Sequence, residues 1–233
     1  MKHNRVAIFG LTGDPFTIAH RDICKQAMDT LDIDRLYVIP TVVDYHRKSK
    51  SRWLNDIERV ECMMRLLQSI GPDYVGRYFV DTNELSLKTL CKGKASLYDE
   101  VIKRRRFIHT LLDFKVHHCD TLPEIFLIIG ADELQKFPSW HLWDCVLDNI
   151  TYLAVVNGRD GKEVSVPALV KAKMEGRMKN LDLSKSYLYN VSATAIRHWY
   201  RNDSLAEYLE DVRKLDSGEM DWLACPWIRK ESA

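Results

Sequence analysis

The sequence has almost no excess charge of either sign. It carries 34 Lys and Arg against 33 Asp and Glu, so the formal net charge of the 233-residue chain is +1. A surface built throughout to hold nucleic acid or an anionic membrane needs a clear positive excess. We therefore expect neither as a partner, although a local basic patch is compatible with this figure.

Long apolar runs and paired cysteines are also missing. No apolar run approaches the ~20 residues that span a bilayer, and the first residues lead directly into a strand-like run, so we expect no membrane span and no secretory signal. The six cysteines, at positions 24, 62, 91, 119, 145 and 225, form no C-x-x-C pair. Zinc sites and disulfide frameworks are disfavoured, and free thiols in a reducing cytoplasm are expected.

Short apolar runs alternate with amphipathic stretches. Strands are predicted at 6–9, 36–39, 78–80, 124–129 and 152–156 and near Tyr189, and helices at 18–31, 55–69, 96–115, 139–148, 166–179, 193–201 and 204–215. Strands that are apolar throughout, separated by helices, indicate an α/β fold with a parallel sheet covered on both faces. We expect one domain over 1–233, with C-terminal helices and tail from about 193. Ligands of such a sheet bind at the carboxyl ends of its strands.

The segment after the first strand is typical of a phosphate-binding loop. It reads Gly10-Leu11-Thr12-Gly13-Asp14-Pro15-Phe16-Thr17-Ile18-Ala19-His20. Its glycines allow tight turns, and a helix starting near Thr17 or Ile18 turns free N–H groups toward an anion. Thr17 and His20, three apart, share one face of the first turn. The structural alternative is a glycine-rich turn with a threonine N-cap.

Two further segments carry candidate ligand-binding residues. After the strand at 124–129, Asp132 is positioned to accept ribose hydroxyls and Trp140 to stack on a flat heterocycle. A helix cap and a core tryptophan are the alternatives. Near the C-terminal end, Ser192 is a predicted N-cap, followed by Thr194 and Arg197 on one side of a helix. The alternative there is a capped surface helix with a solvated arginine.

Two of these segments carry a resemblance to a known superfamily. The first loop resembles the signature of nucleotidyltransferases with a (T/H)-x-G-H motif, and residues 191–197 resemble their late (I/V)-S-x-T-x-(I/V)-R motif. The resemblance implies a Rossmann-like, doubly wound parallel sheet and transfer of a nucleotidyl group from a nucleoside triphosphate. This sequence departs at Gly13, where an aromatic is usual, and at Ala19, where the motif has glycine.

Within that superfamily, most of residues 5–201 are similar to the nicotinate mononucleotide adenylyltransferases. The resemblance implies catalytic roles for His20, Thr17 and Arg197. It implies ATP contacts by Gly10, Leu11, Thr12, Thr17, His20, Asp132, Ser192, Thr194 and Arg197, and mononucleotide contacts by His46, Arg47, Lys48 and Trp140. Read alone, the run at 46–52 is equally a solvated basic loop.

The implied reaction is adenylyl transfer from ATP to nicotinate mononucleotide, giving deamido-NAD and pyrophosphate in NAD biosynthesis. Mg²⁺ is expected to bind mainly through the ATP phosphates, with no dedicated protein metal site. Transfer to nicotinamide mononucleotide or phosphopantetheine, and a nucleotide-binding regulator without turnover, are the alternatives.

Three segments, at 96–102, 103–106 and 217–233, have no single role that the sequence predicts. The family's Ser-Tyr-Thr stretch has no counterpart near 96–102, so the preferred pyridine nucleotide is undecided. The run Lys103–Arg106 is either a solvated helix face or a substitute anion site. The tail at 217–233 packs on the domain or on a second subunit of a homo-oligomer.

Overall fold

The computed structural model describes residues 4–41, 54–90, 106–118, 123–157 and 164–183, together with the helical positions Ala193 and Ile196; of residues 87–90 it describes the backbone only. The strands are β1 Arg5–Leu11, β2 Arg35–Pro40, β3 Tyr78–Val80, β4 Glu124–Gly130, β5 Tyr152–Val156 and β6 Met178–Leu181. The helices are α1 Ile18–Thr30, α2 Asp56–Gln68, α3 Asn83–Leu90, α4 Phe107–His118, α5 Ala131–Lys136, α6 Trp143–Asp148 and α7 Ala168–Lys173. Short 3₁₀ turns lie at Pro72–Tyr74 and Phe137–Ser139.

The six strands form one parallel sheet in the order β3-β2-β1-β4-β5-β6. The chain runs outward from β1 to β3, then returns to β4 beside β1 and runs outward the other way. This order confirms the predicted Rossmann-like, doubly wound α/β fold. Its direction reverses between β1 and β4, so the crevice at their carboxyl ends is the expected ligand position.

Both faces of the sheet are buried under helices. In β1, Ala7 and Phe9 join an apolar cluster that includes α1 and α2, while Val6 and Ile8 join a second cluster with α4, α6 and α7. Alternate residues of a strand point to opposite faces, so a strand covered on both sides is apolar at every position. This is why the strands are recognisable in the sequence as continuous apolar runs.

Several elements differ from the sequence prediction. Arg106 interrupts the helix predicted over 96–115, α5 was not predicted, and α6 covers only the last part of the helix predicted over 139–148. The predicted strand near Tyr189 and the predicted helix at 204–215 lie outside the described residues.

The helix predicted over 166–179 is wrong at its end, because α7 stops at Lys173 and β6 begins at Met178. The positive φ of Gly176, 68°, lies in the turn between them. Only Leu181 of β6 is buried, so this edge strand has no apolar run to reveal it. Helix α3 is an additional element that the sequence pattern did not predict.

Helix α2 is rotated relative to its predicted apolar face. The helical spacing of the sequence predicts one apolar face, formed by Ile57, Val60, Met63, Met64 and Leu67. Ile57 is instead 72% exposed and Met64 38% exposed, while Arg59 is completely buried. The prediction failed because a charged residue occupies a core position, which an apolar periodicity does not register.

The described cysteines Cys24, Cys62 and Cys145 are free thiols, as predicted. Burial raises the pKa of the Cys24 thiol, and the Asp22 carboxylate adds to this effect, so the thiol stays protonated. Cysteines 91, 119 and 225 lie outside the described residues. Among the helices described, none is long and apolar enough to cross a membrane.

Candidate functional site

Thr17 and His20 lie together at the start of α1. Thr17 is the N-cap, in an extended conformation, and its Oγ1 accepts a hydrogen bond from the backbone N–H of His20 at 3.4 Å. In return, His20 Nδ1 accepts from the backbone N–H of Thr17 at 2.9 Å and lies 2.8 Å from Thr17 Oγ1. The two residues therefore form a reciprocal capping box, so Thr17 is an N-cap. Phosphate binding by the same residues stays a prediction.

This geometry fixes the protonation pattern of the imidazole. An atom that accepts a hydrogen bond from a backbone N–H carries a lone pair, so in neutral His20 the proton sits on Nε2. The ring also stacks on Phe16, with centroids 5.2 Å apart. These contacts hold His20 in one orientation beside the first loop, residues 12–17. Anion binding by Nε2–H stays a prediction.

Gly13 is required by the conformation of the first loop. It has φ = 57°, and an added Cβ would lie 2.2 Å from Met63 Cε on α2. A side chain at this position therefore meets both backbone strain and a steric clash. The superfamily signature usually has an aromatic residue at this position. In this protein Met63 packs against the glycine and occupies the space that a side chain would need.

Gly10 lies within β1 rather than in a turn. An added Cβ would be 2.9 Å from Phe107 Cε2, so the first turn of α4 passes directly over the end of this strand. Leu11 ends β1 and Thr12 follows it. The expectation that two glycines shape the turn holds for Gly13 alone. Because Gly10 has no side chain, the ring of Phe107 can pack close to the backbone of β1.

Four residues at or before α2 contact the first loop. The Leu54 N–H donates to Asp14 Oδ1 at 2.9 Å. Arg59 donates to the Thr12 carbonyl, with Nε at 2.8 Å and Nη2 on the same oxygen. Cys62 Sγ lies 3.3 Å from the carbonyl oxygen of Phe16. Together with Met63 beneath Gly13, these contacts fix one side of the loop.

The sequence interpretation assigned no role to this contact surface. Arg59 and Met63 fall at helical spacing with the buried Leu67, so a charged residue in register with core positions was the available signal. Asp14 is 2% exposed, and its contact with Leu54 joins residues 40 positions apart. No pattern in the sequence reveals that long-range bond. Ala19 is buried as well, at 5% exposure, so its methyl group is covered by protein.

The second candidate segment follows β4, the strand beside β1. Asp132 is exposed in the first turn of α5, whose N-cap is Gly130. The alternative that Asp132 caps this helix is therefore wrong. Trp140 is partly buried, with its ring 4.8 Å from Phe137 and 5.4 Å from Phe107 between centroids. It packs at the border of the core and keeps part of its surface exposed.

The remaining predicted site residues lie outside the described residues. These are His46, Arg47, Lys48, Ser192, Thr194 and Arg197. Of the predicted positions that are described, Gly10, Leu11, Thr12, Thr17 and His20 follow or end β1, while Asp132 and Trp140 follow the neighbouring β4. Both groups lie at the point where the strand order reverses. Within the described ranges, no three His, Cys, Asp or Glu side chains are grouped to hold a metal ion.

Both groups of residues fall within the part of the chain that matches a known family. The cytidylyltransferase-like family model matches residues 8–199, which is most of the chain. The chain belongs to the cytidylyltransferase-like family. The family match begins in β1 and includes the first loop, α2 and the segment after β4. It also extends over the stretch that contains the predicted Arg197.

Individual relatives of this family member cover nearly the same length. A protein of Fusobacterium nucleatum named "Probable nicotinate-nucleotide adenylyltransferase" is 24% identical over 198 residues, 85% of this chain and 88% of the relative. A protein of Albidiferax ferrireducens with the same name is 28% identical over 193 residues, 83% of this chain and 84% of the relative.

Solved structures share the fold. Plasmodium falciparum nicotinic acid mononucleotide adenylyltransferase complexed with NaAD has a TM-score of 0.59 at 14% identity, covering 91% of this chain and 97% of that chain. The same enzyme complexed with APC has a TM-score of 0.58 at 13% identity, covering 84% of each chain. The α/β architecture deduced from the strands therefore occurs in solved nucleotide complexes.

Proposed function

We propose that this protein transfers the adenylyl group of ATP to nicotinate mononucleotide, forming deamido-NAD and pyrophosphate in NAD biosynthesis. The observation that carries the proposal is the Thr17–His20 capping box at the reversal point of the sheet. It brings the imidazole of His20 to the N-terminus of a 13-residue helix, and both groups favour an anion. The full-length relatives named nicotinate-nucleotide adenylyltransferase support the choice of substrates.

The reaction requires little covalent chemistry from the protein. The mononucleotide phosphate is already anionic near neutral pH, so its oxygen attacks the α-phosphorus of ATP without a general base, and pyrophosphate leaves. Rate enhancement then comes from positioning and from donors placed where charge develops. His20 Nε2 and the N–H groups of α1 supply such donors, with Gly10, Leu11 and Thr12 lining the strand end.

The other predicted residues complete the two half-sites in this proposal. Ser192, Thr194 and Arg197 bind the leaving pyrophosphate. Asp132 accepts the ribose hydroxyls of ATP. On the mononucleotide side, Trp140 stacks on the pyridine ring through its exposed part, and His46, Arg47 and Lys48 bind the phosphate. These roles follow from the family resemblance and from the position of each segment at a strand end.

Mg²⁺ fits this site as a partner of ATP. The carboxylate of the first loop, Asp14, is buried and accepts the Leu54 N–H, so the loop offers hydroxyl, imidazole and backbone groups rather than carboxylates. We propose that the ion is held mainly by the triphosphate oxygens, where it neutralises charge. The free thiols support a cytoplasmic location. A homo-oligomer remains a prediction.

The proposal is tested by pyrophosphate release from Mg²⁺-ATP with nicotinate mononucleotide, nicotinamide mononucleotide and phosphopantetheine in parallel. We expect the highest kcat/KM with nicotinate mononucleotide. A higher value with either other acceptor would replace the substrate and keep the reaction class. Measurable ATP binding without release from any acceptor would favour a nucleotide-binding regulator and overturn the proposal.

A further inference from the structure

Arg59 is a fully buried charged side chain whose bonds reach two strand ends. Its guanidinium donates to the carbonyl of Thr12 after β1 and, at 2.9 Å, to the carbonyl of Thr41 after β2. A third contact, 3.0 Å from Nη1 to Asp56 Oδ1, supplies a carboxylate one turn earlier on α2. One side chain therefore joins the first loop, the end of β2 and the helix that covers them.

Burying the charge of Arg59 costs free energy unless the guanidinium is paired and hydrogen-bonded. A guanidinium without water needs partners for its donors, and a carbonyl without water needs a donor in return. Asp56, which is 22% exposed, provides the opposite charge, while the two carbonyl oxygens direct their dipoles at the cation. Removing the guanidinium would leave both carbonyls short of a donor at the site.

The bond to Thr12 also determines where the next N–H points. In a trans peptide the C=O and N–H bonds point in opposite directions within one plane. Because the Thr12 carbonyl is directed at Arg59 on α2, the N–H of Gly13 is directed away from α2. Gly13 is buried, and Met63 occupies the α2 side of the glycine.

We infer that Arg59 is a positioning residue for adenylyl transfer, holding the Thr12–Gly13 peptide so that its N–H faces the bound triphosphate. Through the Thr41 carbonyl, the same guanidinium also joins the first loop to the end of β2. The inference rests on the proposed function, and it adds a residue that touches neither substrate. It makes the geometry of the first loop depend on one buried side chain.

The fork of an arginine is necessary for this role. Nε and Nη2 converge on one carbonyl while Nη2 also reaches a second, which requires planar donors at fixed angles. A lysine keeps the positive charge but offers a single ammonium on a flexible stem. The Arg59→Lys substitution therefore separates geometry from charge.

The test compares Arg59→Lys with two matched variants of the same helix. Arg65→Lys makes the same chemical change at an exposed position, and Leu67→Val disturbs the core without reaching the first loop. For each variant, thermal unfolding establishes the folded fraction, and initial rates of pyrophosphate release give kcat and both KM values. Isothermal titration with the ATP analogue α,β-methylene-ATP measures binding without turnover.

For folded Arg59→Lys we expect kcat/KM for ATP to fall by about 10- to 100-fold, because misplaced binding groups cost that much. For folded Arg65→Lys and Leu67→Val, kcat/KM for ATP should stay within about twofold of the parent value, even where the Tm is lowered. Parental kcat and KM values in folded Arg59→Lys would overturn the inference. An equal loss in Leu67→Val would also overturn it, since the effect would then be general destabilisation.

If Arg59→Lys does not fold, the milder Asp56→Asn decides the question. It keeps the guanidinium and removes its charged partner, so we expect a fall of about threefold in kcat/KM for ATP with the protein folded. Unchanged constants would contradict the positioning role. Failure of the proposed function is seen separately, as absence of pyrophosphate release in the parent protein. In that case the loss of ATP-analogue affinity in Arg59→Lys, or Asp56→Asn, still tests the positioning of Gly13.

Discussion

The two described halves of the candidate site are held in different ways. In the first loop, hydrogen bonds fix the backbone: Thr17 and His20 cap each other, Asp14 accepts from Leu54, and Arg59 bonds to Thr12. In the segment after β4, Trp140 is held by contacts with the rings of Phe137 and Phe107. Side-chain hydrogen bonds distinguish the first loop, whereas the side chain of Trp140 is held by ring contacts and its backbone N–H donates to the Phe137 carbonyl at 2.9 Å.

The difference matches the ligands proposed for each half. A triphosphate changes its charge distribution during the reaction, so its donors must already be oriented when it binds. A pyridine ring is recognised by a flat apolar surface, for which the direction of contact is less strict. Loss of a polar group in the first loop should therefore lower kcat, whereas loss of Trp140 should mainly change substrate affinity.

The largest effect is expected for His20→Ala. It removes the Nε2–H donor, so kcat should fall by about 100- to 1,000-fold, as for loss of one oriented oxyanion donor. The substitution also removes half of a capping box, which should cost about 1 kcal/mol of stability. Steady-state kinetics and chemical denaturation measure the two effects separately.

His109→Ala is the matched control for His20→Ala. His109 Nδ1 accepts from the backbone N–H of Arg106 at 2.9 Å, the same bond as at α1, but at the start of α4. It should reproduce the stability loss and leave kcat/KM for ATP nearly unchanged. Equal kinetics in His20→Ala and the parent would show that the first loop does not act on ATP.

Gly13→Ala tests the contact between the first loop and α2. Positive φ and the overlap with Met63 should together lower the free energy of unfolding by about 2–4 kcal/mol. Urea denaturation of Gly13→Ala, Met63→Ala and the double variant measures their coupling. The double variant should be more stable than the sum of the single losses predicts. Strict additivity would place Met63 away from Gly13 in solution.

Trp140→Ala tests the apolar half. Loss of one stacking surface should raise KM for the mononucleotide by about tenfold, with a smaller change in KM for ATP. Trp143→Ala, which removes a second ring packed near Phe137, is the control for lost core contacts. The stacking role is excluded if Trp140→Ala changes both KM values equally, or if Trp143→Ala has the same selective effect.

The smallest effect is expected for Asp29, near the C-terminal end of α1. Its polar bonds should contribute to folding stability and not to catalysis. Burial disfavours the charged form of Asp29, but hydrogen bonds from Lys25 and Tyr74 outweigh it and lower the pKa of this carboxyl from 3.8. Because the pKa is lowered in the folded state, the ionised carboxylate stabilises the fold at pH values above its unfolded-state pKa. This stabilisation is lost as pH falls through the folded-state pKa. Since Asp29 is about one-third exposed, solvent screening limits the effect to about 0.5 kcal/mol.

Asp29→Asn should therefore destabilise the protein slightly at pH 7, and progressively less as pH falls below 3.8, as measured by urea denaturation. Asp148, an exposed carboxylate paired with the half-buried Lys173, offers the control Asp148→Asn, which should have no measurable effect across this pH range. A change in kcat/KM for ATP in Asp29→Asn would contradict the separation between the two ends of α1.

Much of the fold is predictable from the sequence because buried parallel strands are apolar on both faces. The strands at 78–80 and 152–156 have the predicted limits, and Thr17 is the predicted cap. Edge strand β6 was not predicted, because Lys179 and Asn180 interrupt any apolar run. The exposed residues of β6 do not indicate in the sequence that this segment pairs with β5.

The candidate site was predictable to a different depth in its two halves. Local spacing was sufficient to place Thr17 and His20 on one turn. The bond between Arg59 and Thr12 joins residues 47 positions apart, and its partner is a backbone carbonyl without a sequence signal. Residues such as Arg59 are found only when α2 is placed against the sheet.

The most direct measurement is a crystal structure of the protein with deamido-NAD, the proposed product. The account predicts that the pyrophosphate lies against the first loop within hydrogen-bond distance of His20 Nε2, and that the pyridine ring stacks on Trp140. Deamido-NAD bound in the reverse orientation, or with its pyrophosphate away from the first loop, would contradict the assignment of the two halves.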